Sequence, residues 1–375
     1  MSGRERLMAA FRHQETDRIP WSPLICGYYS LGFPEPLRGN DLAIQRAIGC
    51  DICERTTTIV YSQAYGADTQ AVMRKEVVAA KKIDVRDTWS GDELLRVFET
   101  PIGTLQERYL RRETSPWILF PVEGKVKTIE DLKVLRYIYE AERYEPANYA
   151  EFVALDREIG DDGLNAASAP ISPFQALLEV DLGVERFHYF LADYPDEMKE
   201  TMEVMHAKYL EAARIVAESP AEVVIIYENT STSYMTPYMF PQYVLPHLNE
   251  YVDLCHAGGK LVIMHMCGKL KNAVKEIAQG HYDGICDMAP LPTGDLDLAE
   301  AKEAWGTKLS VWGGIDATAF AHLTPQQMKV HATGIMERIA KYRGVILGSG
   351  DAVPLGTPLE TLQAVTEAVN EFRLR

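Results

Sequence analysis

What most constrains this chain is the rhythm of its second half, where short apolar runs rich in β-branched residues alternate with longer stretches whose apolar residues recur at helical spacing. The runs fall at 223–227 (VVIIY), 261–264 (LVIM), 284–286 (GIC), 309–312 (LSVW) and 345–347 (VIL). Helical spacing marks 241–257, 270–280, 298–305 and 325–342. Strands and helices alternating in this way build a parallel sheet wrapped by helices. Three more strand candidates, at 18–24, 51–57 and 163–167, complete eight, and helical stretches at 174–191 and 195–218 follow the last of them. Eight such units predict an α/β fold, a (β/α)8 TIM barrel.

Residues 60–134 interrupt the pattern with β-branched and aromatic residues punctuated by Gly and Pro, as in TPIGTLQERYL and TSPWILFPV. This β-rich segment is expected to be a β-hairpin insertion near the barrel mouth, within a single barrel domain spanning 1–375; a small separate β subdomain is the alternative. A chain of 375 residues with 47% hydrophobic content has the length and the apolar material for one decorated barrel.

Composition narrows the function classes. A formal net charge of −16 argues against nucleic acid as a partner, because affinity for a phosphate backbone comes largely from Lys and Arg. Neither a signal-like opening nor an apolar run long enough for a membrane helix is visible, so a cytoplasmic protein that engages no membrane is expected. Six cysteines in this length suit a reducing compartment, where a functional cysteine serves as metal ligand or nucleophile.

In such a barrel the active site forms at the carboxyl ends of the strands, and the residues just past the apolar runs are polar. They are Glu228-Asn229, His265-Met266-Cys267-Gly268, Cys286-Asp287, Asp316 and Asp351. His265 and Cys267 carry the sharpest signal. Two residues apart on a strand that is still extended, they share a face, and an imidazole beside a thiolate suits zinc. Gly268 then allows a sharp turn. The plain alternative is a hydrogen-bonded core histidine beside an inert buried thiol. Candidates for a third protein ligand are Glu228, Asp351, Cys286 and Asp287, with Glu228 the first choice; the same carboxylates would otherwise cap helix N-termini, most of all Asp316 and Asp351.

Other features bear less weight. Cys50-x-x-Cys53 has no second pair and reads as two core cysteines. Tyr28, Tyr29, Tyr61, Tyr65, Tyr227, Tyr234 and Tyr238 cluster in expected loops after strands, where aromatic rings can clasp a planar ligand; Tyr28, Tyr29, Tyr234 and Asn229 are the substrate-binding candidates. No Walker-type phosphate loop and no Gly-x-Ser-x-Gly elbow occurs, which disfavours nucleotide hydrolysis and serine-hydrolase chemistry.

The segment ENTSTSYMTPYMFPQYVLPHLNEYVDLCHAGGKLVIMHMCGKL, with LSVWGGIDATAF and VILGSGDAVPLGTPLETLQAV, resembles the uroporphyrinogen decarboxylase superfamily, in particular its methyltransferase branch. IGTLQERY and VKTIEDLKVL resemble the same branch. The resemblance implies a (β/α)8 barrel. Its decarboxylases carry an arginine-rich loop after the first strand for the porphyrinogen propionates, whereas LICGYYSLGF here has no arginine, so decarboxylation is not expected. Its methyltransferases hold zinc through a His-x-Cys pair and a later cysteine, and move methyl groups to or from a corrinoid carried by a partner protein.

His265 and Cys267 match that pair, but GSGD places Ser349 or Asp351 where the later cysteine belongs. Exchanging a soft thiolate for a carboxylate makes zinc a harder Lewis acid, suited to an oxygen substrate. The implied activity is transfer of a methyl group from an O-methyl compound, an aryl methyl ether, to the corrinoid (cobalamin) of a partner protein. Zinc would sit on His265, Cys267 and Glu228 or Asp351, with Glu228 and Asp351 the catalytic candidates; a homodimer is left open. Two alternatives stand beside this reading: methyl transfer from the corrinoid to a thiol, and a non-catalytic barrel that binds a small molecule.

Overall fold

A computed structural model describes residues 1–55, 73–77, 83–113, 115–146 and 149–373. Its strands in chain order begin with β1 (Ile52–Arg55), β2 (Met73–Val77), β3 (Asp84–Ser90), β4 (Glu93–Thr100), β5 (Gly103–Arg112) and β6 (Ser115–Glu123). They continue with β7 (Glu142–Pro146), β8 (Gly163–Ala169), β9 (Val223–Ile226), β10 (Leu261–His265), β11 (Gly284–Met288), β12 (Ser310–Ile315) and β13 (Val345–Ser349). Seven of them form one curled parallel sheet in the order β1-β8-β9-β10-β11-β12-β13, consistent with a TIM-like fold.

The two faces of this sheet bury different sets of side chains, as the period of two along a strand requires. Val224, Ile226, Val262, Met264, Ile285, Val311, Val345 and Leu347 join the large core shared with the surrounding helices. Cys53, Leu164, Ala166, Val223, Ile225, Ile263, Cys286, Trp312 and Ile346 pack with one another inside the curl. The N-terminal helix Gly3–Phe11, fixed by a reciprocal Ser2/Glu5 capping box, adds Leu7, Met8, Ala10 and Phe11 to that inner cluster. It enters where the strands begin: a Cβ on Gly3 would lie 2.1 Å from the carbonyl oxygen of Asp162, the residue before β8. With the amino ends of the strands plugged, the carboxyl ends are left for a site.

The stretch expected as the first strand, 18–24, is reduced to one parallel bridge between Trp21 and Leu347. Pro20 and Pro23 are the reason, because each lacks the N–H that a ladder needs. The segment is still tied on both sides. Leu347 N–H donates to Pro20 and Ser22 N–H to Leu347, both at 2.9 Å, while Asp51 N–H donates to Trp21 at 2.8 Å. The buried Asp51 carboxylate reinforces the seam by accepting from Trp21 N–H (2.9 Å), Arg18 (2.9 and 3.0 Å) and Arg6 (2.5 Å).

Within 60–134 the described residues include β2, which pairs antiparallel with β7, and the antiparallel sheet β3-β4-β5-β6. Phe98 and Leu105 of that sheet share the large core with Leu132, Leu135 and Ile138 of the helix Asp131–Ala141. A buried polar knot adds to this contact: Lys125 Nζ reaches Asp181 at 2.9 Å and Glu107 at 3.4 Å, and Tyr139 donates to Asp181 at 3.0 Å. Among the described residues no helix is long and apolar enough to cross a membrane.

Candidate metal centre

β10 ends on His265, whose side chain turns to the inside of the curl at the carboxyl end of the sheet. One strand over, β11 carries a bulge between Ile285 and Met288 with Asp287 at φ +60°, a left-handed conformation that costs a residue with a Cβ. The extra residue lets Cys286 and Asp287 both reach inward rather than alternate. Asp287 Oδ2 lies 2.7 Å from His265 Nδ1. Arg55, at the end of β1, forks onto the same carboxylate at 2.5 and 3.0 Å and lies with its guanidinium 4.3 Å from the Trp312 ring centre.

All three side chains are buried, so their charges must be settled internally. Burial works against ionisation of Asp287, but Arg55 and His265 hold its carboxyl well below the usual range. Burial also opposes protonation of His265, yet its charge interaction with Cys267 and its hydrogen bond to Asp287 raise it well above its ordinary value. With Nδ1 occupied by Asp287, Nε2 is the nitrogen left to face the mouth. A carboxylate that fixes one imidazole nitrogen so that the other can ligate is the usual outer support of a metal-binding histidine.

Two sets of ligand atoms converge within 4.8 Å around His265: one with Cys286 and Asp287, the other with Cys267 and Asp351. The first is a poor cation site. Arg55 already occupies both Asp287 oxygens, and burial pushes the Cys286 thiol up to about 12. The second set combines imidazole, sulfur and carboxylate on the partly open side, where Asp351 Oδ1 accepts from Ala352 N–H at 2.7 Å and leaves its second oxygen. With Cys267 as thiolate and His265 as the neutral imidazole that ligation requires, the carboxylates of Asp351 and Asp287 and the thiolate stand against the Arg55 guanidinium, and the surplus of two negative charges matches a divalent cation. The donor set fits zinc.

The other residues expected at the site are placed as follows. Glu228 belongs to neither set; Ser172 donates to it through N–H (2.8 Å) and Oγ (2.6 Å), and burial pushes its carboxyl up to about 7. Asn229 Nδ2 donates to Glu179 at 2.9 Å, and its Oδ1 lies 3.8 Å from Cys267 Sγ. Tyr234 stands in the field of Glu179 and Cys267, and burial raises its hydroxyl above the ordinary phenol value. Tyr29 is packed away, 1% exposed, its hydroxyl donating to the Thr357 carbonyl at 3.0 Å. The Tyr28 side chain, Tyr61 and Tyr65 lie outside the described residues. Asp316 caps the helix Ala317–His322 and accepts from Thr293 and Thr318. Tyr227 packs its ring 5.3 Å from that of His265.

Arg55 went unread in the sequence. Its only signal was a charged residue at the end of a short apolar run, and its partner is 232 positions away.

A family model described as uroporphyrinogen decarboxylase (URO-D) matches residues 111–372. The chain belongs to that family. In fold it is similar to a methyltransferase from Methanosarcina mazei, with 15% identity, 99% of both chains covered and a TM-score of 0.61. It is also similar to a B12-independent methionine synthase from Shewanella sp. W3-18-1 in complex with selenomethionine, with 11% identity over 94% of this chain and 97% of that one and a TM-score of 0.51. Identities this low speak for the fold alone. No curated protein sequence matches the chain.

Proposed function

We propose that the protein is a zinc-dependent methyltransferase that passes a methyl group from an aryl methyl ether to the corrinoid of a partner protein, within a single closed (β/α)8 barrel whose 60–134 segment is an insertion near the mouth. The observation that carries the reading is the convergence of His265, Cys267 and Asp351 at the strand ends, with His265 oriented from behind by Asp287. His265 Nε2, Cys267 Sγ and an Asp351 oxygen would hold the metal. Bound there, zinc supplies Lewis acidity toward the oxygen that gains negative charge as its methyl group leaves.

The protein's own groups do the rest. Asp287 fixes the imidazole, Arg55 keeps Asp287 ionised, and the Tyr227 ring limits rotation of His265. Asp351 in place of a second thiolate favours an oxygen over a sulfur substrate. Decarboxylation of a polycarboxylate finds no support, since residues 24–33 contain no arginine and, among the described residues, the Arg55 guanidinium at the inner site is committed to Asp287. The test is demethylation of a panel of phenyl methyl ethers by zinc-loaded protein with a reduced corrinoid partner. Turnover that disappears in His265→Ala supports the reading, and no turnover on any ether refutes it.

A further inference from the structure

Arg55 holds Asp287 from a distance. It stands on β1 and Asp287 on β11, with β8, β9 and β10 between them in the sheet, so the guanidinium reaches its partner across the inside of the curl. A side chain that long loses much rotamer freedom when its tip is held in one place, and hydrogen bonds account for only part of the holding. The fork onto Asp287 takes one edge; the buried Nε–H has no hydrogen-bond partner among the described residues. Trp312 of β12 supplies a further contact. Its ring centre lies 4.3 Å from the guanidinium carbon, within the range at which an indole face attracts a cation, and burial of both groups strengthens that attraction over a solvated pair. The indole is itself aimed. Its Nε1–H donates to the Ser22 carbonyl at 2.7 Å, and position 348 is a glycine where a Cβ would lie 2.5 Å from Nε1. Core filling alone asks for neither feature.

We propose that Trp312 is a positioning residue of the metal centre: its indole face holds the Arg55 guanidinium where the fork keeps Asp287 aimed at His265 Nδ1. The effect on the metal rests on the zinc reading; the effect on the Asp287–His265 bond does not. Trp312 is buried in the inner cluster below the strand ends and acts through Arg55, without itself offering a ligand atom.

The test uses the full chain, first metal-free with 15N-labelled histidine and then titrated with zinc against a chromophoric chelator. The His265 Nδ1 proton, assigned by its absence from His265→Ala, reports the bond to Asp287 without any metal. In Trp312→Leu we expect it to exchange at least about tenfold faster, and zinc to bind about tenfold more weakly, the low end for loss of outer support. Trp312→Phe keeps a ring face and should stay within about twofold of the parent in both, while melting lower because the Ser22 carbonyl loses its donor. In an Arg55→Met background Trp312→Leu should change neither further, since the group it positions is gone. Where Trp312→Leu does not fold, fluorinated tryptophans incorporated throughout the chain decide. Fluorine drains the negative ring face at nearly constant shape, so zinc affinity should fall stepwise with fluorine number in the parent and stay level in Arg55→Met. Unmoved exchange in Trp312→Leu, a Trp312→Phe as impaired as Trp312→Leu, effects that add in the double variant, or an affinity indifferent to fluorine overturns the proposal. Should Trp312→Leu and Arg55→Met both speed exchange while the parent takes up no zinc, the positioning role stands and the metal reading falls. Zinc held equally by every variant with exchange unmoved does the reverse.

Discussion

Arg55→Met removes the guanidinium that forks onto Asp287 while keeping most of the side-chain volume. Arg55 and Asp287 are 4% and 0% exposed, so the carboxylate left behind has no water to replace the lost bonds at 2.5 and 3.0 Å. Breaking a buried pair by removing one partner costs about 3–5 kcal/mol. His265 remains within 2.7 Å of the carboxylate, which places the expected loss toward the lower end of that range. A second effect follows from geometry: without Arg55 the carboxylate no longer has a fixed orientation from which to hold the imidazole. Loss of such outer support weakens metal binding by about 10–100-fold, or roughly 1.4–2.7 kcal/mol. Urea unfolding of metal-free protein measures the first quantity, and competition with a chromophoric chelator measures the second. Arg55→Lys should fall between, because an ammonium cannot serve both oxygens as a planar fork does. An Arg55→Met protein that unfolds within about 1 kcal/mol of the parent and binds zinc as tightly would refute the role given to the Arg55–Asp287–His265 array.

Further outcomes are specific. Burial raises the folded-state value of Glu228 to about 7, above the unfolded value, so its contribution is fully present at low pH and is lost as pH rises through 7. Stability should therefore decline by a few kcal/mol between about pH 5 and 8, and Glu228→Gln should flatten that profile in urea titrations across pH. Gly268→Ala puts a Cβ 2.3 Å from that of Ser231 and 2.6 Å from the Thr230 carbonyl oxygen; the strand end carrying Cys267 must shift, and zinc content after dialysis should drop while the far-ultraviolet circular dichroism is kept. Phe11→Ala opens the plug under the inner cluster, where Phe11 faces Trp312 with ring centres 6.0 Å apart, and should cost about 3–5 kcal/mol in unfolding free energy with zinc affinity unchanged.

The parts of the fold governed by local pattern were legible. The strands expected from 163 onward appear within a few residues of where apolar runs place them, because residues buried on both faces leave an unbroken signature. The helices at 195–218 and 298–305 match their expected bounds, since Pro195 at the first turn and the Asp297/Glu300 capping box mark where they begin. What depended on distant partners was not legible. Pro20 and Pro23 cut the first strand to a bridge held by Leu347, more than 320 residues on. The bulge that turns Asp287 toward His265 has no composition cue, as it rests on a strained aspartate rather than a glycine. Glu228 was the favoured third ligand by its place after β9, but Ser172, from the loop after β8, holds both its oxygens. The His-x-Cys pair stood out by its place just past an apolar run, although β10 ends at His265 and Cys267 lies in the turn beyond it, so a shared strand face does not account for their approach.

The central claim is that His265, Cys267 and Asp351 bind one zinc ion, and X-ray absorption at the zinc edge tests it most directly. Purified protein should hold one equivalent of zinc with a single sulfur near 2.3 Å and nitrogen or oxygen ligands near about 2.0–2.1 Å; Cys267→Ser should remove the sulfur and Cys286→Ser should leave it. Two sulfur ligands, a sulfur that persists in Cys267→Ser, or a protein that retains no zinc would contradict the account.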